Sequence, residues 1–585
     1  MNILLNRILN IVLNTIFNIN IFFIIIATIS LYLSFILNFS FINIVFSTVL
    51  TFISFFIIHK AKIVNLEKFH TLPAFLILTF SIIFALFFKT QSLNFDGVSY
   101  KTGGGGMYGD SALHLAYTNR INLGDFPPQN PLFAGKTLVY PYANDLLSAI
   151  FQVFFNNLEL AFFLPQIIFF FAFVLLFYRL SQTVTDNLGF LFSILIFLFG
   201  WGIGFYYFLR ETSFDKFNIF SNSYQDFTNN SLYNLNFHNL LTGLIMPERS
   251  FLPGLVLGIF FVLSLFNYLE TKNNKFLIVS FFILGIMPFW HTHTFIFLCI
   301  FASTFFLFLI FKIHDLRKLI LDLVIASIVG FIIFIPFLIL FFSNHDASSF
   351  LRLATGWMNK NENLIFYWLK NSFFVLPISI FGIFTIRKKI IFIPAFISFL
   401  IANFIIFQPW DWDNIKILSL SFLFFSLIFG NVLSNLFRKN LLGKVSAILI
   451  VFLSILSGFL SVHLQSKNNY ILYNNEDIRF AEWIKNNTGK NDVFLIEPIP
   501  NNPVNGLAGR LTYVGYPGHL WVHGIDYSQR EYQANQVLAG HDELIGNLKP
   551  KITYLVIPAR LFAIYETKTY TLVFENPKYR IYKLS

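Results

Sequence analysis

Charged residues and cysteine are scarce in this sequence of 585 residues. Only 12% of the residues are charged, whereas soluble domains carry about 25%. The single cysteine, Cys299, excludes an intrachain disulfide and a cysteine-rich structural zinc site. Apolar bulk takes their place, since 56% of the residues are hydrophobic and 82 are phenylalanine. This balance excludes an ordinary soluble protein and indicates one that crosses a membrane many times.

Apolar runs of about 20 residues recur along the chain, each long enough to span a bilayer as a helix. The first run is predicted to be a retained span, because no small-residue cleavage site accompanies it. The predicted fold class is an all-α polytopic membrane bundle with a small α/β domain at its C-terminal end. The predicted spans are residues 19–38, 40–59, 72–88, 158–178, 187–207, 250–269, 276–290, 294–311, 319–342, 371–386, 390–407, 415–436 and 445–463.

The net charge of +11 does not indicate nucleic-acid binding, because the basic residues fall in short loops between the predicted spans. If the N-terminus is cytoplasmic, every basic cluster lies on the cytoplasmic side, as the positive-inside rule requires. We therefore predict a multi-pass protein of the plasma (inner) membrane with a cytoplasmic N-terminus. The residues that decide this orientation are Lys60, Lys62, Lys68, Arg179, Lys272, Lys275, Lys312, Arg317, Lys318, Arg387, Lys388, Lys389, Arg438, Lys439 and Lys444.

Two long segments lie on the opposite, outer side in this orientation. Residues 89–157 form a long first outer loop within a transmembrane module that covers residues 1–463. Residues 464–585 regain charge, proline and glycine, and are predicted to form an extracytoplasmic domain. Within them, 492–499 and 552–558 are typical of strands, and 476–489 is typical of a short helix that ends at glycine.

The first outer loop contains the stretch GGGGMYGDSALH, from Gly103 to His114. Asp110 is placed as the N-cap of a helix, where the helix terminus favours the ionised carboxylate. His114 lies four residues later and shares its face. The glycines are predicted to be a mobile hinge with no strand before them, and a P-loop is excluded because no Gly-Lys-Ser/Thr follows. Asp110 is thus a candidate base, and its alternative role is helix capping alone.

Further polar groups are predicted at the outer ends of spans. The proline-rich stretch 125–147 indicates a rigid loop at the membrane, either a connector or a substrate contact. Arg249 suits a bidentate grip on phosphate, or alternatively an internal salt bridge to Glu248. His291 and His293 suit hydrogen bonding to phosphate or sugar, or packing. Metal binding is the minority interpretation, since a helix would point two residues at this spacing apart.

Aromatic and charged residues also meet near the twelfth span and in the tail. Trp410 and Trp412 suit interface anchors, whereas Asp411, Asp413 and Lys416 go beyond what anchoring needs. Carboxylates beside aromatic rings suit the hydroxyls and apolar faces of a sugar. In the tail, 509–531 contains Arg510 and Trp521 among several rings and cations, which indicates either a binding lid or a domain core. The topology sends all these groups to one side of the membrane, while the spans hold almost no ionisable residue, unlike those of a proton-coupled transporter.

These motifs resemble the GT-C superfamily of membrane glycosyltransferases, which use polyprenyl-phosphate sugars. The stretch GDSALHLAYTNRINLGDFPPQNPLFAG and the shorter PERSF, HTHTF and WDNIK are similar to prokaryotic members related to protein mannosyltransferases and lipid A aminoarabinose transferases. The resemblance implies that Asp110 is the catalytic base or lies beside it. Many members have two adjacent acidic residues, but Ser111 follows Asp110 here. The second carboxylate is expected to be absent or to come from elsewhere, such as Asp96 or Asp125.

The resemblance implies transfer of a sugar from a polyprenyl-phosphate donor to a protein, lipid or glycan acceptor, with inversion. Asp110 would accept the proton of the acceptor hydroxyl. The leaving phosphate would be stabilised by Arg249, Lys416 or a histidine. A monophosphate donor needs no metal, whereas a diphosphate donor predicts a divalent cation, Mg or Mn, held by Asp110 and a partner. The predicted substrate-binding residues are His114, Glu248, Arg249, His291, His293, Trp410, Asp413, Lys416, Arg510 and Trp521.

Two other functions remain open at this point. A flippase or exporter of lipid-linked glycans would also have many spans and outer aromatic residues, but it needs a polar path through the bundle, which the sequence does not indicate. A non-catalytic envelope-assembly protein is the third hypothesis. Convergence of Asp110, Arg249 and Lys416 on one cavity would favour the enzyme.

Overall fold

The computed structural model describes residues 2–61, 69–211, 225–311, 315–344, 351–386, 389–565 and 570–584. Five of the basic residues used to predict orientation, Lys62, Lys68, Lys312, Arg387 and Lys388, lie outside these ranges. The helices up to the end of the bundle are α1 (Asn2–Leu37), α2 (Phe41–Lys60), α3 (Thr71–Gln91), α4 (Gly106–Ile121), α5 (Ala143–Phe155), α6 (Leu158–Ser181), α7 (Asn187–Phe199), α8 (Gly204–Glu211), α9 (Phe251–Thr271), α10 (Asn274–Trp290), α11 (Thr292–Ile310), α12 (Leu316–Asn344), α13 (Leu364–Ser372), α14 (Val375–Gly382), α15 (Phe392–Phe404), α16 (Ile415–Lys439) and α17 (Leu441–Lys467).

Within the described ranges, nine helices are long and apolar enough to cross a membrane. Two bent pairs, α7 with α8 and α13 with α14, raise the number to eleven if each counts as one span. They coincide with predicted spans 187–207 and 371–386. The predicted spans 276–290 and 390–407 coincide with α10 and α15, which are apolar but shorter than 18 residues. The membrane bundle is therefore present, with four of its expected spans bent or short.

The helices differ in how far the protein encloses them. In the span that ends with α16, 94% of the most apolar window is buried, against 17% in the span formed by α12. Side-chain oxygens cap several starts: Asn157 accepts from the backbone N–H of Leu160 before α6, and Asp186 accepts from that of Gly189 before α7. α16 is thus the central helix, and α12 presents most of its apolar surface outward.

The first outer loop and the tail are joined by a small sheet. Strand β1 (Asn94–Phe95) pairs with β2 (Tyr100–Gly103), and β2 pairs antiparallel with β5 (Asn469–Tyr473), with Gly103 opposite Asn469. Two other short strands, β3 (Arg352–Leu353) and β4 (Ile405–Ile406), pair with each other. The predicted division at residue 464 falls inside α17, and the tail is continuous with the loop through β5.

The tail is a small α/β domain, as the sequence predicts. Its elements are α18 (Asn475–Asn487), β6 (Val493–Leu495), α19 (Pro503–Gly506), β7 (Leu511–Thr512), α20 (Pro517–Val522), α21 (Ser528–Leu538), β8 (Tyr554–Pro558), α22 (Phe562–Tyr565), β9 (Thr571–Glu575) and β10 (Tyr579–Lys583). The sheet has the order β7-β6-β8-β10-β9, with β6 parallel to β7 and β8, and β10 antiparallel to its neighbours. The predicted strands 492–499 and 552–558 correspond to β6 and β8.

The glycine run before Asp110 is a tight crossing, and the prediction of a free hinge without a preceding strand is wrong. Gly103 ends β2, and a Cβ there would lie 2.3 Å from Oε1 of Gln91. A Cβ at Gly104 would lie 2.6 Å from the ring of Tyr470. Gly105 has φ +61°, which favours glycine. Gly103 and Gly104 therefore have no room for a side chain where the ends of α3, α17 and β5 meet, whereas Gly105 is favoured by its backbone conformation alone.

Candidate active site

A cavity of about 380 Å³ lies where the first outer loop, the ends of bundle helices and the C-terminal domain meet. Its apolar wall includes Ile296 of α11 together with Phe337 and Phe341 of α12. Its polar wall draws on distant parts of the sequence because helices α9, α11 and α16 all begin beside it. The ionisable and aromatic groups on that wall include Asp110, Lys136, Tyr140, Glu248, His291, His293, Trp410, Asp413, Lys416, His519 and His523.

One buried lysine binds two carboxylates in this wall. Nζ of Lys416 lies 2.8 Å from Oε1 of Glu248 and 3.1 Å from Oδ1 of Asp413. A short 3₁₀ turn, Asp411–Asn414, places Asp413 one turn before Lys416 at the start of α16. The other oxygen of Asp413, Oδ2, is buried and has no hydrogen-bond partner in the described part of the chain. The predicted Glu248–Arg249 salt bridge is wrong, since Glu248 pairs with Lys416.

Asp110 faces the same cavity from α4, but it does not cap that helix. The N-cap is Gly105, so Asp110 lies inside the first turns, where no capping bond holds its carboxylate. None of the hydrogen bonds or ion pairs among the described residues involves Asp110. Burial raises the pKa of Asp110 well above its usual range, and the charge of Glu248 raises it further, whereas Lys416 opposes them. The expectation of a carboxylate kept anionic by the helix end is corrected accordingly.

His291 and His293 both face the cavity because they lie at a break between two helices. His291 ends α10 and is the N-cap of α11, with φ −164° and ψ 108°, so the two residues do not share one continuous helix. Their ring centroids are 5.4 Å apart. The backbone N–H of Thr294 donates to Nδ1 of His291 at 3.2 Å, which leaves the ring proton of a neutral His291 on Nε2. Nε2 is buried in both histidines and has no partner among the described residues.

The C-terminal domain closes the cavity with His519 of α20 and His523 just after it. Burial lowers the pKa of His519 to about 4 and that of His523 to about 3, so both are neutral at pH 7. Nδ1 of His523 lies 3.4 Å from the hydroxyl of Tyr117, whereas Nδ1 of His519 is buried without a partner in the described residues. The sequence placed both in the candidate lid but gave no reason to prefer them to Arg510 or Trp521.

Four predicted binding residues lie away from the cavity. Arg249 is buried behind it and donates to the carbonyl of Phe162 at 2.9 Å, so it is not placed to grip phosphate. His114 is buried against Asp145 instead of facing the cavity. Arg510 donates to the carbonyl oxygens of Lys485 and Thr488 at the end of α18, and Trp521 is exposed on the outside of α20.

The candidate second carboxylates are also corrected. Asp96 pairs with Lys101 at 2.7 Å and Asp125 with Lys490 at 2.6 Å, and neither lines the cavity. Glu248 and Asp413 supply the carboxylates beside Asp110 instead. Sequence reasoning also missed Tyr140 as a wall residue, although the rigid loop 125–147 that contains it was proposed as a possible substrate contact.

No family model matches the chain, and no curated protein matches it. Among solved structures, it is similar to the archaeal oligosaccharyltransferase AglB from Archaeoglobus fulgidus in complex with an inhibitory peptide and a dolichol-phosphate, at 12% identity and a TM-score of 0.47. The apo form of the Archaeoglobus fulgidus enzyme matches at 12% identity and a TM-score of 0.49. Both matches cover 83% of this chain and 70% of the archaeal chain. A form tethered to an acceptor peptide containing the NVT sequon matches at 11% identity and a TM-score of 0.46, and this match covers 83% of this chain and 69% of the archaeal chain.

A divalent cation, expected for a diphosphate donor, does not fit this arrangement of residues. The ammonium of Lys416 already occupies the space between Glu248 and Asp413. The described residues include no group of three His, Cys, Asp or Glu side chains arranged to hold a metal. The positive charge at the centre of the site is therefore supplied by a lysine.

Proposed function

We propose that this protein is a membrane glycosyltransferase that moves a sugar from a polyprenyl-phosphate-linked donor to an acceptor bound in the cavity. The observation that carries the proposal is a set of unmet hydrogen bonds. Buried polar atoms normally have partners, yet four such atoms on the wall have none within the described ranges: Oδ2 of Asp413, Nε2 of His291, Nε2 of His293 and Nδ1 of His519. A ligand rich in hydroxyl and phosphate oxygens supplies both donors and acceptors to this set.

The apolar side of the cavity supports a donor carried on a lipid. Phe337 and Phe341 line the cavity from α12, the helix whose apolar surface is least enclosed by protein. A hydrocarbon chain in the membrane can therefore reach the cavity while its polar head meets the histidines and Lys416. A water-soluble sugar nucleotide would leave this apolar approach without a role.

In the proposed reaction, Asp110 accepts the proton of the acceptor hydroxyl as the hydroxyl oxygen attacks the anomeric carbon. The bond from that carbon to the phosphate oxygen breaks, and the configuration inverts. Lys416 and the Nε2–H of His291 stabilise the negative charge that develops on the phosphate. The raised pKa of Asp110 makes its carboxylate a stronger base than an ordinary aspartate, which suits proton transfer near neutral pH.

The test is transfer of a labelled sugar from polyprenyl phosphate to membrane acceptors by the purified protein. Asp110→Asn keeps the shape of the side chain and removes the proton acceptor, so transfer should fall about 100- to 10,000-fold. Asp125→Asn is the matched control, because Asp125 lies in the same loop but pairs with Lys490 outside the cavity. Parental transfer by a folded Asp110→Asn protein would remove Asp110 from the mechanism.

A further inference from the structure

A buried charge network lies directly behind the polar wall of the cavity. Nδ1 of His114 is 2.9 Å from Oδ1 and 3.0 Å from Oδ2 of Asp145, and both residues are almost fully buried. His114 lies one turn after Asp110 on α4, the helix that carries the proposed base. The contact with Asp145 therefore fixes the rotation of α4 about its axis.

The same aspartate also reaches the turn that carries Glu248. Nε of Arg249 lies 3.8 Å from Oδ1 of Asp145, and Nη2 of Arg249 donates to Oγ of Ser148 at 2.5 Å. The carbonyl oxygen of Arg249 accepts from Nδ2 of Asn144 at 2.7 Å. Asn144, Asp145 and Ser148 all belong to α5. One face of α5 therefore holds the residue next to Glu248, which in turn binds Lys416.

We propose that Asp145 is a positioning residue that sets the placement of Asp110 relative to Glu248 and Lys416. It contacts His114, one turn after Asp110, and Arg249, next to Glu248, and it does not line the cavity itself. The alternative is a purely structural role, in which Asp145 only neutralises a buried arginine. The two roles differ because a positioning residue controls the geometry of the reacting groups in protein that is fully folded. This proposal rests on the proposed function, in which Asp110 is the base.

Two changes loosen the network without leaving a lone buried charge. His114→Gln weakens the contact between α4 and Asp145, while Arg249 stays beside Asp145. The double change Asp145→Asn with Arg249→Gln removes both charges of the pair together, because removing only one is strongly destabilising. Asp322→Asn is the matched control, since Asp322 is a buried carboxylate that accepts from the hydroxyl of Tyr268 at 3.0 Å and lies outside the cavity.

We expect both network variants to lower kcat for sugar transfer about 10- to 100-fold, because displacement of a reacting group by about 1 Å has effects of that size. KM for the donor should change less than about threefold, since Lys416, His291 and His293 are not substituted. The acid limb of the pH–rate profile should also move, because Asp110 then senses Glu248 at a different distance. Asp322→Asn should leave kcat and the acid limb at the parental values.

A second measurement works without activity. Cys299 is the only cysteine, so Asp110→Cys in a Cys299→Ala background carries one thiol. The pH dependence of its alkylation should shift by about 0.5 pH unit or more in the network variants, a roughly threefold change in ionisation, and stay unchanged with Asp322→Asn. Folded variants with the parental kcat, acid limb and alkylation profile would overturn the proposal. If the variants proved too unstable for the sugar-transfer assay, an unchanged alkylation profile alone would overturn it. If Asp110→Asn were fully active, the proposed base would fail, while the alkylation profile would still decide the role of Asp145.

Discussion

Two buried lysines in this protein have similar surroundings at first sight. Lys416 and Lys370 are each 7% exposed, and each binds a glutamate: Nζ of Lys416 lies 2.8 Å from Glu248, and Nζ of Lys370 lies 2.9 Å from Glu362. Lys416 begins the central helix α16, whereas Lys370 lies in α13. Lys416 and Glu248 line the cavity, whereas Lys370 and Glu362 do not.

The difference lies in what surrounds each pair. Around Lys370 no buried side-chain atom of the pair lacks a partner in the described residues: its ammonium also donates to the carbonyl of Tyr233 at 2.9 Å, and Glu362 also accepts from Asn234 at 2.8 Å. Around Lys416, Asp413 adds a second carboxylate with one oxygen unpartnered among the described residues, and Asp110 adds a third. Complete networks rigidify a structure, whereas buried polar groups without protein partners are free to bond water or a ligand.

The largest difference in sugar transfer between the two pairs should come from substituting the lysines themselves. Lys416→Gln removes the charge proposed to meet the donor phosphate, so transfer should fall about 10- to 100-fold, as expected for loss of a charge-assisted hydrogen bond. Lys370→Gln should lower the melting temperature and leave the turnover of the folded protein unchanged. Labelled-sugar transfer and thermal melting in detergent measure both. If Lys370→Gln reduced turnover as much as Lys416→Gln, the distinction between the two pairs would be lost.

Substitution of the carboxylates Asp413 and Glu362 should show a smaller difference in sugar transfer than substitution of the two lysines. Asp413→Asn keeps one oxygen but loses the charge and the unpartnered acceptor, so transfer should fall about tenfold, the value of roughly 1.4 kcal/mol expected for one hydrogen bond to a substrate. Glu362→Gln should affect thermal stability alone. Initial rates at subsaturating donor measure the first effect. A parental rate for Asp413→Asn would mean that its free oxygen meets no substrate.

Sequence reasoning identified the residues whose signal is local and missed those whose role depends on packing. His291, His293, Asp413 and Lys416 stand next to predicted span ends, and Asp110 stands in the long loop after the third span. The predicted topology therefore sends all five to one side of the membrane, and the structure brings them to one cavity. Arg249 stands next to Glu248 in the chain yet points the opposite way, into the network of Asp145 and Ser148. Nothing in adjacent positions of a turn indicates which side chain faces a cavity.

The predictions of a mobile glycine hinge and of Asp110 as an N-cap were wrong for a related reason. Glycines before an aspartate indicate a flexible start to a helix, but here they allow β2, α3 and α17 to approach one another closely. That approach involves residues hundreds of positions apart, such as Gly103 and Gln465, which no local pattern contains. The sequence also did not indicate that the spans 187–207 and 371–386 are bent, because hydropathy measures the length of an apolar run and not whether it is straight.

The pH dependence should sharpen the comparison around Asp110. A base must be deprotonated, and the pKa of Asp110 is raised by burial and by Glu248, so transfer should decline as pH falls through a value above the ordinary aspartate range. Glu248→Gln removes a charge that raises this pKa, so the acid limb should move to lower pH, whereas Glu362→Gln should leave it in place. Initial rates measured from acidic to neutral pH define the limb. A limb that moved to higher pH with Glu248→Gln would contradict the assigned sign.

The smallest effect should separate two tryptophans of nearly equal exposure. Trp410 is 42% exposed and lines the cavity, stacked on Trp412 with ring centroids 5.0 Å apart, whereas Trp521 is 43% exposed and lies outside it. If Trp410 packs against the apolar face of the sugar, Trp410→Ala should raise KM for the donor about two- to tenfold, the value of an aromatic contact worth roughly 0.5–1.5 kcal/mol. Trp521→Ala should change KM less than twofold, about the scatter of a surface substitution. Because exposure is matched, a larger effect at Trp521 would mean that the ligand extends along α20, beyond the cavity.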